Sequence, residues 1–145
     1  MNPQKVYYEE SIADYVLGKA LMEKFKNAEW IRIKSHNHIP ELTSKPNCEF
    51  ARMKQNLVIG IRKTHYYVPN LKTSDFLVPY TSSGCSAMCL YCYLVCNYNK
   101  CSYLRLFVNR EEMLYKLMDT ARKSQRDLTF EIGSNSDLVL ENTIT

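Results

Sequence analysis

Apolar positions along the chain fall into short runs separated by polar connections. Between residues 11 and 26, Leu17, Leu21 and Phe25 recur at four-residue spacing with Ile12, Val16 and Ala20 beside them. Lys19, Glu23 and Lys24 take the opposite side, which predicts an amphipathic helix. Gly18 weakens it locally, by about 1 kcal/mol relative to alanine. Glu29 to Lys34 sets Trp30, Ile31 and Ile33 among polar neighbours and predicts a strand. From Ser35 to Asn47 the chain carries His36, Asn37, His38, Pro40 and Pro46, the composition of a loop. Leu57, Val58, Ile59 and Ile61, within Asn56 to Arg62, are β-branched or apolar and predict a buried strand. Lys63 to Thr73 is a polar, aromatic-dotted connection, and a soft boundary near Lys72 divides an amino-terminal α+β region (1–72) from a second region (73–145).

The second region is more regular. Phe76, Leu77 and Val78 predict a strand over Asp75 to Tyr80, and Gly84 permits a sharp turn after it. Tyr103 to Val108 predicts another strand. Asn109 then stands at a helix start with Glu112 at capping-box spacing, and Met113, Leu117, Met118 and Ala121 form the apolar stripe of that helix. Leu128 to Ile132 predicts a further strand, followed by Gly133-Ser134-Asn135-Ser136. Strand, loop, helix, strand is the grammar of an α/β barrel, whose active residues gather at the carboxyl ends of strands. The fold class is therefore α/β. The segment 81–94 and the segment Ser134 to Asp137 both follow strands, and should lie side by side on one rim.

Composition changes this picture little. The 145 residues are 46% hydrophobic and 23% charged, ordinary for one globular domain. The formal charge of +4 is compatible with a nucleic-acid partner, but many solvated surfaces share it. The opening residues Met1 to Lys5 are polar and lead into Glu9-Glu10, unlike a signal peptide, and no apolar run approaches a membrane span. The expected location is cytoplasmic. There, cysteines that cluster are metal ligands more often than disulfides, and five of the six cysteines fall between Cys85 and Cys101.

Those cysteines carry the chemistry. Cys85, Cys89 and Cys92 stand in C-x3-C-x2-C spacing. Three thiolates in one tight loop suit three irons of a four-iron, four-sulfur cluster, leaving one iron open to a small molecule. Zinc is the alternative, with Cys96 or Cys101 as fourth ligand, although zinc sites usually show paired C-x2-C spacing. His36 and His38 read as polar loop histidines, because no further ligand follows at zinc spacing. Arg105 fits either a buried ion pair or a phosphate contact.

The triad, with Tyr91 just before its third cysteine, resembles the radical S-adenosylmethionine (AdoMet) enzymes. Tyr91-Cys92-Tyr93-Leu94, the run Tyr103 to Asn109, Phe130-Glu131 and Ser136-Asp137 are similar to the spore photoproduct lyase family. Tyr15 to Lys19, Ser35-His36-Asn37 and Leu57 to Arg62 resemble the amino-terminal region of the same family. The resemblance implies the start of a partial (β/α) radical-SAM barrel behind a small α+β region, cut short of the family's full length. It implies a [4Fe-4S] cluster on Cys85, Cys89 and Cys92, with Tyr91 and Ser136 at AdoMet and Tyr93 in a hydrogen-atom relay. The implied reaction reverses the thymine dimer of UV-irradiated spores through a 5′-deoxyadenosyl radical. Implied partners are UV-damaged DNA, a one-electron reductant and a complementing carboxyl-terminal chain, with the spore interior as location and no membrane.

One departure stands out. Where the best-known lyases carry a hydrogen-donating cysteine on the second barrel strand, this chain has Ser134, whose O–H bond is too strong to serve. Cys96 is the replacement donor this reading favours, and Cys101 is the other thiol at hand. Alternatives to the lyase are another radical-SAM enzyme, or a non-catalytic iron–sulfur or zinc module.

Overall fold

A computed structural model describes residues 1–70, 72–78, 81–89, 91–94, 103–133 and 136–145. Its centre is a five-stranded sheet built from β1 (Lys5–Glu9), β2 (Glu29–Ile33), β3 (Leu57–Gly60), β6 (Ser82–Ser83) and β7 (Leu104–Phe107), in the order β2-β1-β3-β7-β6. The pairs β1–β2, β1–β3 and β3–β7 are parallel, and only β6 runs against its neighbour β7. β3 is central and buried throughout, as its apolar run predicts, and β2 matches its expectation within a residue.

Parallel sheets need cover on both faces, and this one has a core on each. On one face Val6, Leu57, Ile59, Leu104 and Leu106 pack with Ile12, Leu21, Phe25 and Ile144. On the other, Tyr7, Val58 and Tyr103 pack with Ile39, Leu42 and Met53. Alternate residues of β1 and β3 feed the two cores, as the two-residue period of a strand requires, while β7 gives Leu104 and Leu106 to the first and Tyr103, just ahead of it, lies in the second. The sheet draws strands from both sides of Lys72. β1 has no counterpart in the sequence reading: its apolar stretch, Val6-Tyr7-Tyr8, is short and bracketed by Lys5 and Glu9.

The first helix is shorter than its periodicity suggests. A 3-10 turn over Glu10–Asp14 is followed, after an extended Tyr15, by α1 (Val16–Lys24). Leu21 and Phe25 are buried as expected, whereas Val16 and Ala20 face solvent. Gly18 has a positive reason to be there. It packs so close to the preceding turn that a Cβ would stand 1.9 Å from the Ile12 carbonyl oxygen. Residues 35–56 form the expected connection, with two short helices, α2 (Pro40–Thr43) and α3 (Phe50–Met53), set into it.

A second, three-stranded sheet has the order β4-β5-β8, with β4 (Val68–Pro69), β5 (Phe76–Leu77) and β8 (Phe130–Glu131). β5 and β8 are parallel, as a βα repeat demands. The strand expected over Tyr103 to Val108 forms as β7 but joins the other sheet, between β3 and β6. The helix before β8 is α4 (Arg110–Lys123). Its predicted cap is different in kind: the Asn109 side chain makes no bond to the helix backbone. Instead its Oδ1 accepts from Arg62 N at 2.9 Å, and its Nδ2 donates to Arg62 O and to Glu112 Oε2, each at 2.8 Å. Asn109 thus joins α4 to the end of β3. Of the expected α4 stripe, Met113 is buried and Leu117 half-buried, while Met118 and Ala121 are exposed. The last helix is α5 (Leu138–Asn142).

Candidate cofactor site

β5 and β8 aim their carboxyl ends at the same place. Phe76 and Leu77 pair with Phe130 and Glu131, and Val78 N donates to Glu131 O at 3.1 Å. The chain beyond β5 turns at Gly84, which has a φ of 78°, a conformation natural to glycine. Gly84 then forms a parallel bridge with Ser136, beyond β8. The two loops expected on one rim are therefore in contact, Gly84 bonded beside Ser136.

Between them lies a cavity of about 410 Å³ whose wall includes Cys85, Cys89, Cys92, Tyr91, Tyr93 and Ser136. Every residue that the sequence assigned to metal or AdoMet, together with Tyr93, lines it. Cys96, Cys101 and Ser134 lie outside the described residues. The three thiols are not alike: Cys85 is buried, Cys92 half-buried and Cys89 exposed, and none of them is in a disulfide. Among the described residues no three His, Cys, Asp or Glu side chains converge as ligands of a single ion. The thiols surround a space instead. Tyr91 is 96% exposed and Tyr93 54%, so both rings stand at the mouth. The Ser136 Oγ is buried without a hydrogen-bond partner, an orphan in a wall of sulfur and apolar groups. Three soft thiolate donors, a cavity and an unused hydroxyl fit an iron–sulfur centre with a polar small molecule beside it.

Two braces hold the loop, and the sequence reading found neither. Lys54, only 2% exposed, donates from Nζ to the Cys85 carbonyl at 2.7 Å. Its neighbours Arg52, Gln55 and Asn56 make it look like part of a solvated run, and the one available signal is its place just before the apolar β3. Cys85 Sγ in turn accepts from Ala87 N at 3.3 Å. The second brace is Glu141 on α5, also buried. It accepts from Thr81 Oγ1 at 2.9 Å, from Ser82 Oγ, and from the Arg110 guanidinium at the start of α4. One carboxylate therefore ties β6, α4 and α5 together directly ahead of the cysteine loop.

The family model for spore photoproduct lyase matches residues 1–145. A spore photoproduct lyase of Bacillus subtilis is 33% identical over 141 residues, and one of Clostridium acetobutylicum 30% over 139. Each match covers 94% of this chain and 41% of the relative. The chain thus spans about two fifths of the length of these relatives. A solved spore photoproduct lyase complexed with a dinucleoside spore photoproduct superposes with a TM-score of 0.87 at 27% identity, over 99% of this chain and 43% of that one. A variant of such a lyase with bound AdoMet and dinucleoside spore photoproduct gives the same TM-score at 26% identity. The mixed α/β architecture, the paired loops at the ends of β5 and β8, and a match running the whole length of the sequence place this chain in the spore photoproduct lyase family.

Proposed function

We propose that this chain supplies the cluster- and AdoMet-binding part of a radical-SAM carbon–carbon lyase that reverses the thymine dimer of UV-damaged DNA. The observation that carries this reading is the meeting of Cys85, Cys89, Cys92 and Ser136 around one cavity at the carboxyl ends of two parallel strands. In it, Cys85, Cys89 and Cys92 would hold a [4Fe-4S] cluster, with AdoMet beside it in the same cavity. When bound, that pair supplies one-electron reductive cleavage of a carbon–sulfur bond, with the electron coming from a separate reductant.

The chain's own residues orient and exclude. Lys54 fixes the Cys85 main chain and so the entry of the loop. The Ser136 hydroxyl, unpaired in the protein, would donate to a polar group of AdoMet, and the exposed Tyr91 ring would lie against it. Tyr93 relays a hydrogen atom, and Cys96 supplies it, since Ser134 stands where relatives of this type use a thiol. Transfer of solvent deuterium into repaired thymine tests the donor: it is expected to fall sharply in Cys96→Ala, and unchanged transfer clears Cys96. A complementing carboxyl-terminal chain provides the remaining substrate contacts, and the protein acts in the spore interior. Residues 1–72 support residues 73–145 through the shared sheet.

Anaerobic reconstitution tests the metal reading directly. About four irons and as many sulfides per chain are expected, with an electron-spin resonance signal that changes on adding AdoMet. Alanine at Cys85, Cys89 or Cys92 should abolish both. One colourless zinc per chain, or a cluster indifferent to AdoMet, overturns the assignment.

A further inference from the structure

Arg105 stands between two readings in the sequence, ion pair or phosphate contact, and its surroundings separate them. It lies on β7 opposite Ser83 of β6, two residues ahead of Cys85. Its guanidinium carbon sits 5.3 Å from the centre of the Tyr103 ring, so the planar fork rests on an aromatic face. Ion pairs are made by Arg32, Arg110 and Arg126, and among the described residues no carboxylate pairs with Arg105. The Arg105 Nε is buried with no hydrogen-bond partner. A buried donor left unpaired costs about 1–3 kcal/mol, and charged donors are rarely left so.

Arg105 borders a cavity of about 390 Å³ that shares no lining residue with the cysteine cavity. Arg62 and Lys63, from the chain just past β3, line it too. Arg62 is held in place: its Nε donates to Thr64 O at 3.1 Å, and its guanidinium carbon lies 5.4 Å from the Phe107 ring centre. The one carboxylate in the wall is Glu9, and both of its oxygens already have protein partners. Its Oε1 accepts from His36 N at 2.8 Å and lies 2.9 Å from His36 Nδ1, and its Oε2 accepts from Ile61 N at 2.9 Å. His36 is held below its usual 6.5 by burial first, with Glu9 pulling the other way and Arg105 and Arg62 adding to the depression. What the cavity offers is three cationic side chains, the Ser83 and Ser35 hydroxyls and the Asn37 amide.

Cations and donors around a carboxylate already engaged on both oxygens suit an anion with several acceptor oxygens. An arginine fork fixed on an aromatic ring matches the tetrahedral oxygens of phosphate in particular. We propose that this cavity is a phosphate-binding site, in which Arg105 meets phosphate oxygens through the terminal nitrogens of its guanidinium, with Arg62 and Lys63 as further charges. The phosphate belongs either to a nucleic-acid backbone or to a small free phosphate compound. The site is independent of the metal reading, but it is joined to it through the chain: Ser83 leads by way of Gly84 into Cys85.

The test uses the full chain without metal, so that its failure is distinct from a failure of cluster assembly. Inorganic phosphate is titrated while the arginine Nε–H signals are followed by proton–nitrogen NMR, and binding of a short DNA duplex is measured in parallel. A saturable shift of the Arg105 Nε–H signal is expected. Arg105→Gln should weaken phosphate binding about tenfold or more, the worth of a charge-assisted bond, and Lys63→Gln by a smaller factor. If Arg105→Gln also weakens the duplex and phosphate competes with it, the occupant is a nucleic-acid backbone. If the duplex is indifferent to the substitution, the occupant is a small phosphate. A parent Nε–H signal that does not move saturably, or equal phosphate affinity in parent and Arg105→Gln, overturns the site. Circular dichroism checks that the variant folds. Should it not, the parent titration and Lys63→Gln decide on their own.

Discussion

A lysine removed from water must find partners, because an unpaired buried ammonium costs several kcal/mol. Lys54 spends its charge on a carbonyl of the cysteine loop. Lys54→Met keeps the bulk and removes the donor, leaving the Cys85 carbonyl unsatisfied, at an expected cost of about 1–3 kcal/mol. The specific consequence is local: Cys85 should react with iodoacetamide faster than in the parent, while Cys48, already exposed, keeps its rate. Equal Cys85 rates would show that Lys54 does not hold the loop. Histidines give the second residue-scale expectation. Burial is the first cause that lowers both His36 and His65 from the usual 6.5. As pH falls through about 6.5, the unfolded chain takes up protons that the folded chain refuses. Stability is therefore full above that value and declines below it, until the folded imidazoles also protonate. The urea midpoint should drop between about pH 7.5 and about pH 5.5, and His36→Gln should flatten part of the drop; an unchanged slope would clear His36 of the effect. At Gly18 an alanine would add helix propensity worth about 1 kcal/mol. The Ile12 carbonyl at 1.9 Å from the new carbon reverses the sign, and Gly18→Ala should lower the melting temperature.

At the scale of elements, what was legible depended on whether the deciding partner was near in sequence. β3 was legible because four consecutive apolar residues have only one place to go, the middle of a sheet. The meeting of the cysteine loop with the stretch around Ser136 was legible because the rule that strands present function at their carboxyl ends needs only the order of elements. β7 was visible as a strand, yet its neighbours were not: Leu104 to Phe107 could have served either sheet, and pairing with β3 was decided by residues 57–60. Asn109 looked like a helix cap on spacing, but Arg62, 47 positions away, offers its amide main chain instead. Glu141 was invisible for the same reason. Its three donors, Thr81, Ser82 and Arg110, are 60, 59 and 31 positions distant. Glu141→Ala strands the Arg110 guanidinium and two hydroxyls at once, and should cost about 2–4 kcal/mol in denaturant unfolding. Glu141→Gln, which keeps two acceptor contacts at most, should fall between. A loss under about 0.5 kcal/mol, the range of ordinary surface changes, would mean that α5 is not clamped to β6.

Across the whole molecule, the two sheets differ in how completely they are covered. The five-stranded sheet has a core on each face, and its stability is a property of this chain. The three-stranded sheet has Phe76 stacked on Phe130 with Tyr67 against both rings, and β8 carries β5 on one side with no strand on its other side among the described residues. α4 shows the same asymmetry. It buries Met113, half-buries Leu117, and leaves Leu114, Tyr115 and Met118 exposed. An apolar stripe that the sequence assigns to a core is thus only partly used by the contacts of this chain. That division can be measured. Met113→Ala should cost about 2–4 kcal/mol, as for other buried methionines, because Met113 is enclosed. Leu114→Glu with Met118→Lys should change unfolding by no more than about 0.5 kcal/mol, while reducing binding of a hydrophobic dye and any concentration-dependent association. If the double substitution instead unfolds the chain, those two side chains belong to its core, and the exposed face of α4 is not a face at all.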